Sequence, residues 1–236
     1  MQFLVEPAIF EHFPGLMLPV AVADGIENQM GRPAIAARWR EVWTWAEQEG
    51  KPYGNAQSHP RIRPWRERFT AMGVSGKEFP CSAEALLRRA LKGGEPFSIN
   101  PLVDWYNTIS LRYSVPAGGF DLAQVERAGA LELRLSRPGD QFLALDADEP
   151  LDVPPGEVSY VAGQTILTRH FVWRQARTGL IGPATREVFL VSEVLGEVGR
   201  EVAEAVLAAF RDGLRGHFGV ASQTFLVDAQ HRSIEW

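Results

Sequence analysis

Apolar residues recur at helical spacing in several stretches of this chain and alternate with polar ones in others. Ile35, Trp39, Val42 and Trp43 return every three or four positions, so the spacing predicts an amphipathic helix over 33–49, with Pro33 in its first turn and Gly50 closing it. Arg63–Met72 reads as a short helix. Ser82 suits the N-cap of a helix over 83–92, which Gly93-Gly94 terminates. A further helix is predicted over about 101–113. It carries Asp104 and Asn107 on one face and runs into a Pro-Ala-Gly-Gly turn that ends at Asp121.

Beyond Asp121 the period changes to two. Leu131, Leu133 and Leu135 alternate with Glu132 and Arg134, which predicts a half-buried strand with the charged pair outward. Strands are also predicted at 2–9, 16–22, 141–145, 158–161, 165–173, 187–194 and 223–228, and a long helix over 195–217. Pro14-Gly15 supplies the turn between the first two strands, and the last strand precedes a polar tail. No Gly/Ser-type linker interrupts this order. The prediction is one α+β domain over 1–236, with 1–58 and 196–236 packed on a core of 59–195.

Composition narrows the classes. At 236 residues and 45% hydrophobic content the chain can bury a core without covalent staples, and a single cysteine, Cys81, excludes an intrachain disulfide and a cysteine-rich zinc site. Glu6 and Glu11 interrupt the first apolar run and no basic residue precedes it, so neither a signal peptide nor a membrane span is expected, and a cytoplasmic location is. The net charge of −5 argues against a general nucleic-acid coat, and DNA is not an expected partner. The charge is uneven, however. Residues 32–92 hold twelve Lys/Arg against six Asp/Glu, which allows one basic face or an ordinary solvated helical surface. Phosphate-loop, dinucleotide-binding and serine-elbow motifs are absent, and the five histidines have no metal-ligand spacing. No metal or organic cofactor is expected.

Residues 82–122 resemble a known family. Leu86-Leu87-Arg88-Arg89, Ile99-Asn100, Val103-Asp104, Asn107, Leu111, Pro116 and Phe120-Asp121-Leu122 are similar in order and spacing to the B3/B4 editing domain of the phenylalanyl-tRNA synthetase beta subunit, and more closely to free-standing proteins built from that domain. Pro155–Tyr160 and Thr168–Gln175 continue the likeness. The resemblance implies a three-layer sandwich of two β-sheets and a helical layer. It also implies hydrolysis of the ester that joins a wrong amino acid to the terminal adenosine of a tRNA. Such editing answers the small discrimination, roughly 1–3 kcal/mol per methylene, that a synthetic site achieves.

The resemblance also implies site residues. Asn107 matches a polar residue at the rim of the synthetase pocket and is expected to hold the ribose or the attacking water; the plain alternative is an Asn facing solvent or a local turn. Gly118 stands where the synthetase carries a histidine. Gly118-Gly119 therefore suggest backbone N–H groups around a water, or simply a tight turn. His170, as general base, and Arg174 alternate to one face of the predicted strand, and Trp173 and Gln175 to the other. Arg174 is a candidate to bind the terminal phosphate or orient the ester carbonyl, and Arg174 or Gln175 to stabilise an oxyanion. Asn100, Asp104, Tyr106, Asp121, Trp173 and Glu193 are candidate substrate-binding groups. For Asp104 a loop-fixing role is the stronger reading, and for Asp121 a cap is an equal one. Glu193 sits two residues after Val191, where the synthetase has its pocket glutamate. His59, Arg61, Arg63, Arg66 and Arg68, interleaved with Trp65 and Phe69, are candidate tRNA contacts. The alternative is a helix with its aromatics in the core and its arginines in water.

The expected function is thus trans-editing by an aminoacyl-tRNA deacylase, with a polar or non-protein amino acid as one option for the substrate. A non-catalytic module that binds aminoacyl-tRNA or an amino acid is the second reading, favoured by loss of the synthetase's histidine and glutamate. A small-ester or amide hydrolase unrelated to tRNA is the third.

Overall fold

The period-two segments are built into two sheets that face each other. In the computed structural model, which describes residues 1–236, the chain runs through β1 (Gln2–Val5), α1 (Pro7–His12), β2 (Leu18–Ala23), α2 (Pro33–Gly50), α3 (Arg63–Ala71), α4 (Ser82–Ala90) and α5 (Pro101–Tyr113). It continues through β3 (Ala117–Asp121), α6 (Leu122–Ala128), β4 (Leu131–Leu135), β5 (Gln141–Phe142), β6 (Leu151–Asp152), β7 (Val158–Ala162), β8 (Thr165–Ile166), β9 (Thr168–Arg169) and β10 (Arg174–Gln175). The last elements are β11 (Val188–Ser192), α7 (Arg200–Gly213), β12 (Ser222–Val227) and β13 (Ser233–Glu235).

A seven-stranded sheet has the order β13-β1-β4-β7-β8-β5-β6, and a four-stranded sheet has the order β12-β2-β11-β3; β9 and β10 form a separate hairpin. Both chain termini join the large sheet, since β1 pairs with β13 and, in parallel, with β4. The small sheet is the middle layer. One of its faces, carrying Val20, Phe120, Phe189 and Val191, packs against Phe3, Leu133 and Tyr160 of the large sheet. The ring centroids of Phe3 and Phe189 are 5.0 Å apart and those of Phe120 and Tyr160 5.4 Å. The other face, carrying Ala21, Val188 and Leu190, packs against Leu102, Trp105 and Ile109 of α5 and Val206 and Phe210 of α7. This is the α+β, three-layer arrangement, and it follows from the alternation: every residue of β11 is buried because both faces of its sheet are covered.

Some boundaries differ from those the pattern predicts. The strand expected at 2–9 stops at Val5, where Pro7 starts α1. The glycines expected in a turn after Pro116 lie in β3, and the turn sits earlier, at Ser114, which caps α5 with φ 53°. Residues 122–128 form a helix that no apolar period announces. The polar tail expected after the last strand supplies a further strand, β13. Cys81 rather than Ser82 is the N-cap of α4. No helix is long and apolar enough to cross a membrane.

Arg134, expected on the outer face of its strand, is 1% exposed. Its guanidinium is bidentate to Asp140 at 2.6 and 2.9 Å, and also donates to Glu132 and to the carbonyls of Leu135 and Gly163. Burial alone would raise the Asp140 carboxyl, but the Arg134 pair and the Arg137 N–H outweigh it and hold the carboxyl below its ordinary value. The carboxylate therefore stabilises the fold at neutral pH, and that contribution is lost as pH falls through its lowered value. Arg134→Ala leaves Asp140 buried and unpaired. It is expected to destabilise the protein by about 3–5 kcal/mol in urea denaturation. A change below about 1 kcal/mol would mean the pair contributes nothing net.

Candidate active site

A cavity of about 400 Å³ opens where the two sheets part beside α4, α5 and the β9–β10 hairpin. Its inner wall is built by Tyr160 of β7, Val191 of β11 and Glu193 just beyond it. Glu193 follows Phe189 and Val191 at period two, so it points between the sheets, 4% exposed, after a strand whose residues on that face are apolar. The Tyr160 O–H donates to Glu193 Oε1 at 2.8 Å. Burial raises the Glu193 carboxyl to about 7, against the lowering effect of the Tyr160 hydrogen bond. Tyr160 itself is pushed well above its ordinary value by burial and by the Glu193 charge. Near neutrality the cavity thus holds one carboxyl poised between its two protonation states.

The side wall is α5. Asn100 caps its N-terminus by accepting from Val103 N–H, and the helical period then sends Val103, Tyr106 and Asn107 to the cavity. The Asn107 amide and the Tyr106 hydroxyl line the cavity without a hydrogen bond inside the protein, and burial raises Tyr106 above its ordinary value. The opposite wall is β3. A Cβ added at Gly118 meets nothing within 4 Å, so glycine here leaves space in the cavity. Glu193 N–H donates to Pro116 O at 3.2 Å, and bonded pairs alternate along an antiparallel ladder. Gly118 therefore bonds to Val191, while Gly119 turns its C=O and N–H to the free edge of the sheet. The Gly119 carbonyl accepts from Gln175 Nε2 at 3.1 Å, and its N–H lies on the same edge at the cavity wall. Arg89, whose guanidinium lies 4.8 Å over the Phe97 ring, and Arg174, Trp173, Ile99 and Leu145 complete the surround, with Ile99 and Leu145 exposed.

The structure gathers Asn107, Gly118, Gly119, Arg174, Gln175, Tyr106, Trp173 and Glu193 of the candidates around this cavity. Several others it does not. The predicted strand 165–173 is broken: His170 and Phe171 both have positive φ, 44° and 61°, and the chain reverses between β9 and β10. His170 consequently faces away from the cavity. Its ring lies 3.8 Å from that of Phe79, its N–H donates to Glu157, and its Nδ1 is buried without a partner. It lines a separate cleft with Glu157 and Arg169. Burial lowers its value, with Arg169 adding and Glu157 opposing. The general-base role does not fit this position.

Gln175 is also corrected, since its amide N–H groups are occupied by the carbonyls of Gly119 and Gly179. It positions β3 rather than donating to an oxyanion. Arg174 pairs with exposed Asp146 at the cavity mouth and keeps further donors free. Asn100 is consumed by the α5 cap, by Asn28 and by the Ile181 carbonyl. Asp104 accepts from Ser98 Oγ and Ile99 N–H and fixes that loop on another side of the helix. Asp121 caps α6 and accepts from Thr185 Oγ1 at 2.6 Å. These three are structural polar groups outside the cavity.

The basic segment is largely neutralised. Arg66 is bidentate to Glu84, which Arg88 shares; Arg63 pairs with Glu67 and Arg68 with Glu197. Arg61 donates to Tyr113 O, and His59 packs edge-on to Tyr53. Trp65 and Phe69 are in the core. The segment is a helix bolted to its neighbours, not a free cationic face.

Sequence reasoning missed Tyr160, Arg89, Phe97 and Leu145. Only Tyr160 carried a signal, as the one aromatic hydroxyl in its strand. The buried thiol of Cys81 is pushed up to about 12 and is no nucleophile. No group of three His, Cys, Asp or Glu side chains is arranged to hold a metal ion.

The sequence model of the B3/4 domain matches residues 65–203, the span that supplies every wall of this cavity. The chain belongs to the B3/4 domain family. No curated protein matches it in sequence. Among solved structures, the B3/4 protein is similar to an N-terminal fragment of the phenylalanyl-tRNA synthetase beta subunit from Pyrococcus horikoshii, at 9% identity and a TM-score of 0.46. The likeness covers 96% of this chain and 54% of that one, so the B3/4 protein spans about half of the fragment.

Proposed function

We propose that this B3/4 protein is an editing hydrolase that releases a wrongly attached amino acid from tRNA. The observation that carries the proposal is the Glu193–Tyr160 pair at the inner end of a cavity lined mainly by apolar groups, with the Asn107 amide and the Tyr106 hydroxyl free on its side wall. Membership of the B3/4 domain family supports the choice of an aminoacyl ester as substrate.

In this reading Glu193, in its ionised form, takes a proton from a water as the water oxygen bonds to the ester carbonyl carbon. The carbonyl electron pair moves to oxygen, to which the Gly119 N–H and the Tyr106 hydroxyl donate in this reading. Collapse of the tetrahedral intermediate breaks the acyl–oxygen bond, and Glu193 returns the proton to the ribose oxygen that leaves. Asn107 orients the ribose, and Arg174 and Arg89 at the mouth hold the flanking phosphate charge. Holding water and ester together can supply roughly 7–11 kcal/mol of the barrier reduction.

The test is release of amino acid from a panel of mischarged tRNAs by the purified protein, with correctly charged tRNAs as controls. Selective release of one amino acid is expected. The rate should rise as pH increases through about 7 and then level, because the ionised Glu193 is the competent form. Binding of tRNA without release from any member would replace the hydrolase by a binding module. Indifference to RNA would remove the tRNA reading altogether.

A further inference from the structure

α5 has a second chemical face. The side opposite Tyr106 and Asn107 carries Trp105, Thr108, Ile109 and Arg112, and it borders another cavity, of about 200 Å³, between α2, α5 and the end of α7. Two arginines and a histidine from three elements line it: Arg38 of α2, Arg112 of α5, and His217 in the π-helical turn Leu214–Phe218 that follows α7. A third arginine, Arg32, donates to the His217 carbonyl at 2.6 Å. We propose that this cavity binds a phosphate group.

The arginines explain the choice. Arg61, Arg63, Arg66, Arg68 and Arg88 are all engaged by carboxylates or a carbonyl, whereas Arg112 has no carboxylate partner. Its guanidinium is held 4.2 Å over the Trp45 ring, which fixes it without neutralising it. Nor does the end of α5 require it. Ser114 N–H caps the Leu111 and Ser110 carbonyls, and Arg61 donates to Tyr113 O. Arg38 has only an exposed partner, Glu41, three residues along its own helix. Burial lowers the His217 value, and the charges acting on it, Arg38 and Arg32, lower it further. The site is thus positive before any ligand arrives. Two planar forks and a ring N–H match the several acceptor oxygens of a phosphate. Half-buried Trp45 and Tyr113 beside it would suit a stacked base.

The phosphate has two possible sources, a free ion or an RNA backbone, and only the second rests on the editing reading. The experiment compares the wild type with the double variant Arg38→Gln/Arg112→Gln. Inorganic phosphate is titrated at constant ionic strength while the His217 ring resonances are followed. tRNA affinity is measured as a function of salt. A saturable shift of His217 in the wild type, absent from the variant, with tRNA affinity unchanged, supports a free phosphate ion as ligand. A loss of ~10-fold in tRNA affinity, with a salt slope shallower by about 1–2, supports the RNA backbone. In that case single-turnover release from saturating mischarged tRNA stays at the wild-type rate, since neither arginine lines the other cavity. Should no tRNA be hydrolysed at all, the editing reading fails while the phosphate titration still decides this site. No His217 shift together with unchanged tRNA affinity and slope overturns the proposal. Both arginines are exposed and the variant is expected to fold; His217→Asn probes the same cavity without altering either helix.

Discussion

Glu193→Gln is expected to lower deacylation by about 10²–10⁴-fold, the range of a lost general base, and at the same time to stabilise the protein above neutral pH. The two effects have one cause. The Glu193 carboxyl ionises near 7 in the folded protein and near 4.5 in the unfolded chain. A raised value contributes stability that is full below about 4.5 and is lost as pH rises through about 7. Glutamine carries no such pH dependence and still accepts from the Tyr160 hydroxyl. The variant should therefore gain roughly 3 kcal/mol relative to the wild type between acid and mildly alkaline pH. Urea denaturation on both sides of that interval, with single-turnover hydrolysis, measures both. A stability difference that does not change with pH would show that Glu193 is not buried as a shifted acid. Undiminished hydrolysis would remove it from the chemistry.

Gly118→Leu is the second large effect, and it acts by volume. A Cβ at Gly118 enters open space, and the residue lies in a strand with no positive φ. The leucine side chain therefore extends into the cavity without displacing the core. Stability is expected to change by less than about 1 kcal/mol, while hydrolysis falls by ~10²-fold or more because the ester no longer reaches its attack position. The neighbouring glycine supplies the contrast. At Gly119 a Cβ would lie 2.6 Å from Leu190 Cδ2 and 3.0 Å from both Ile181 Cδ1 and the Phe189 carbonyl, so Gly119→Ala is expected to destabilise the sheet by about 1–3 kcal/mol. Full activity in Gly118→Leu would place the reaction outside this cavity.

The sequence was most readable where one periodicity ran unopposed. α2 and α5 lie where the apolar spacing puts them, and β4 spans the residues whose alternation predicts it, with Arg134 as the exception that turns out buried. The Asn107 side of α5 and the Glu193 side of its strand were both legible, because each needs only the period of its own element. The basic segment misled for a definite reason. Its arginines are compensated by Glu67 and Glu84 within the segment and by Glu197 from far outside it, so the pairing, and with it the surface charge, is not given by the local count.

What the sequence alone determined is therefore the set of elements with a strong period, the three-layer class that alternation and resemblance imply, and the family. What only the tertiary structure decided is which polar groups meet. His170 left the site because two successive non-glycine residues adopt positive φ in the turn after β9, a conformation held by the surrounding contacts and invisible to periodicity. Arg134 moved inward because Asp140, brought back by a loop, pairs with it. Glu193 acquired its chemistry from burial under the opposite sheet and from a tyrosine thirty-three residues away. Local periodicity fixes which way a side chain points; desolvation and charge pairing depend on what the rest of the chain places in front of it.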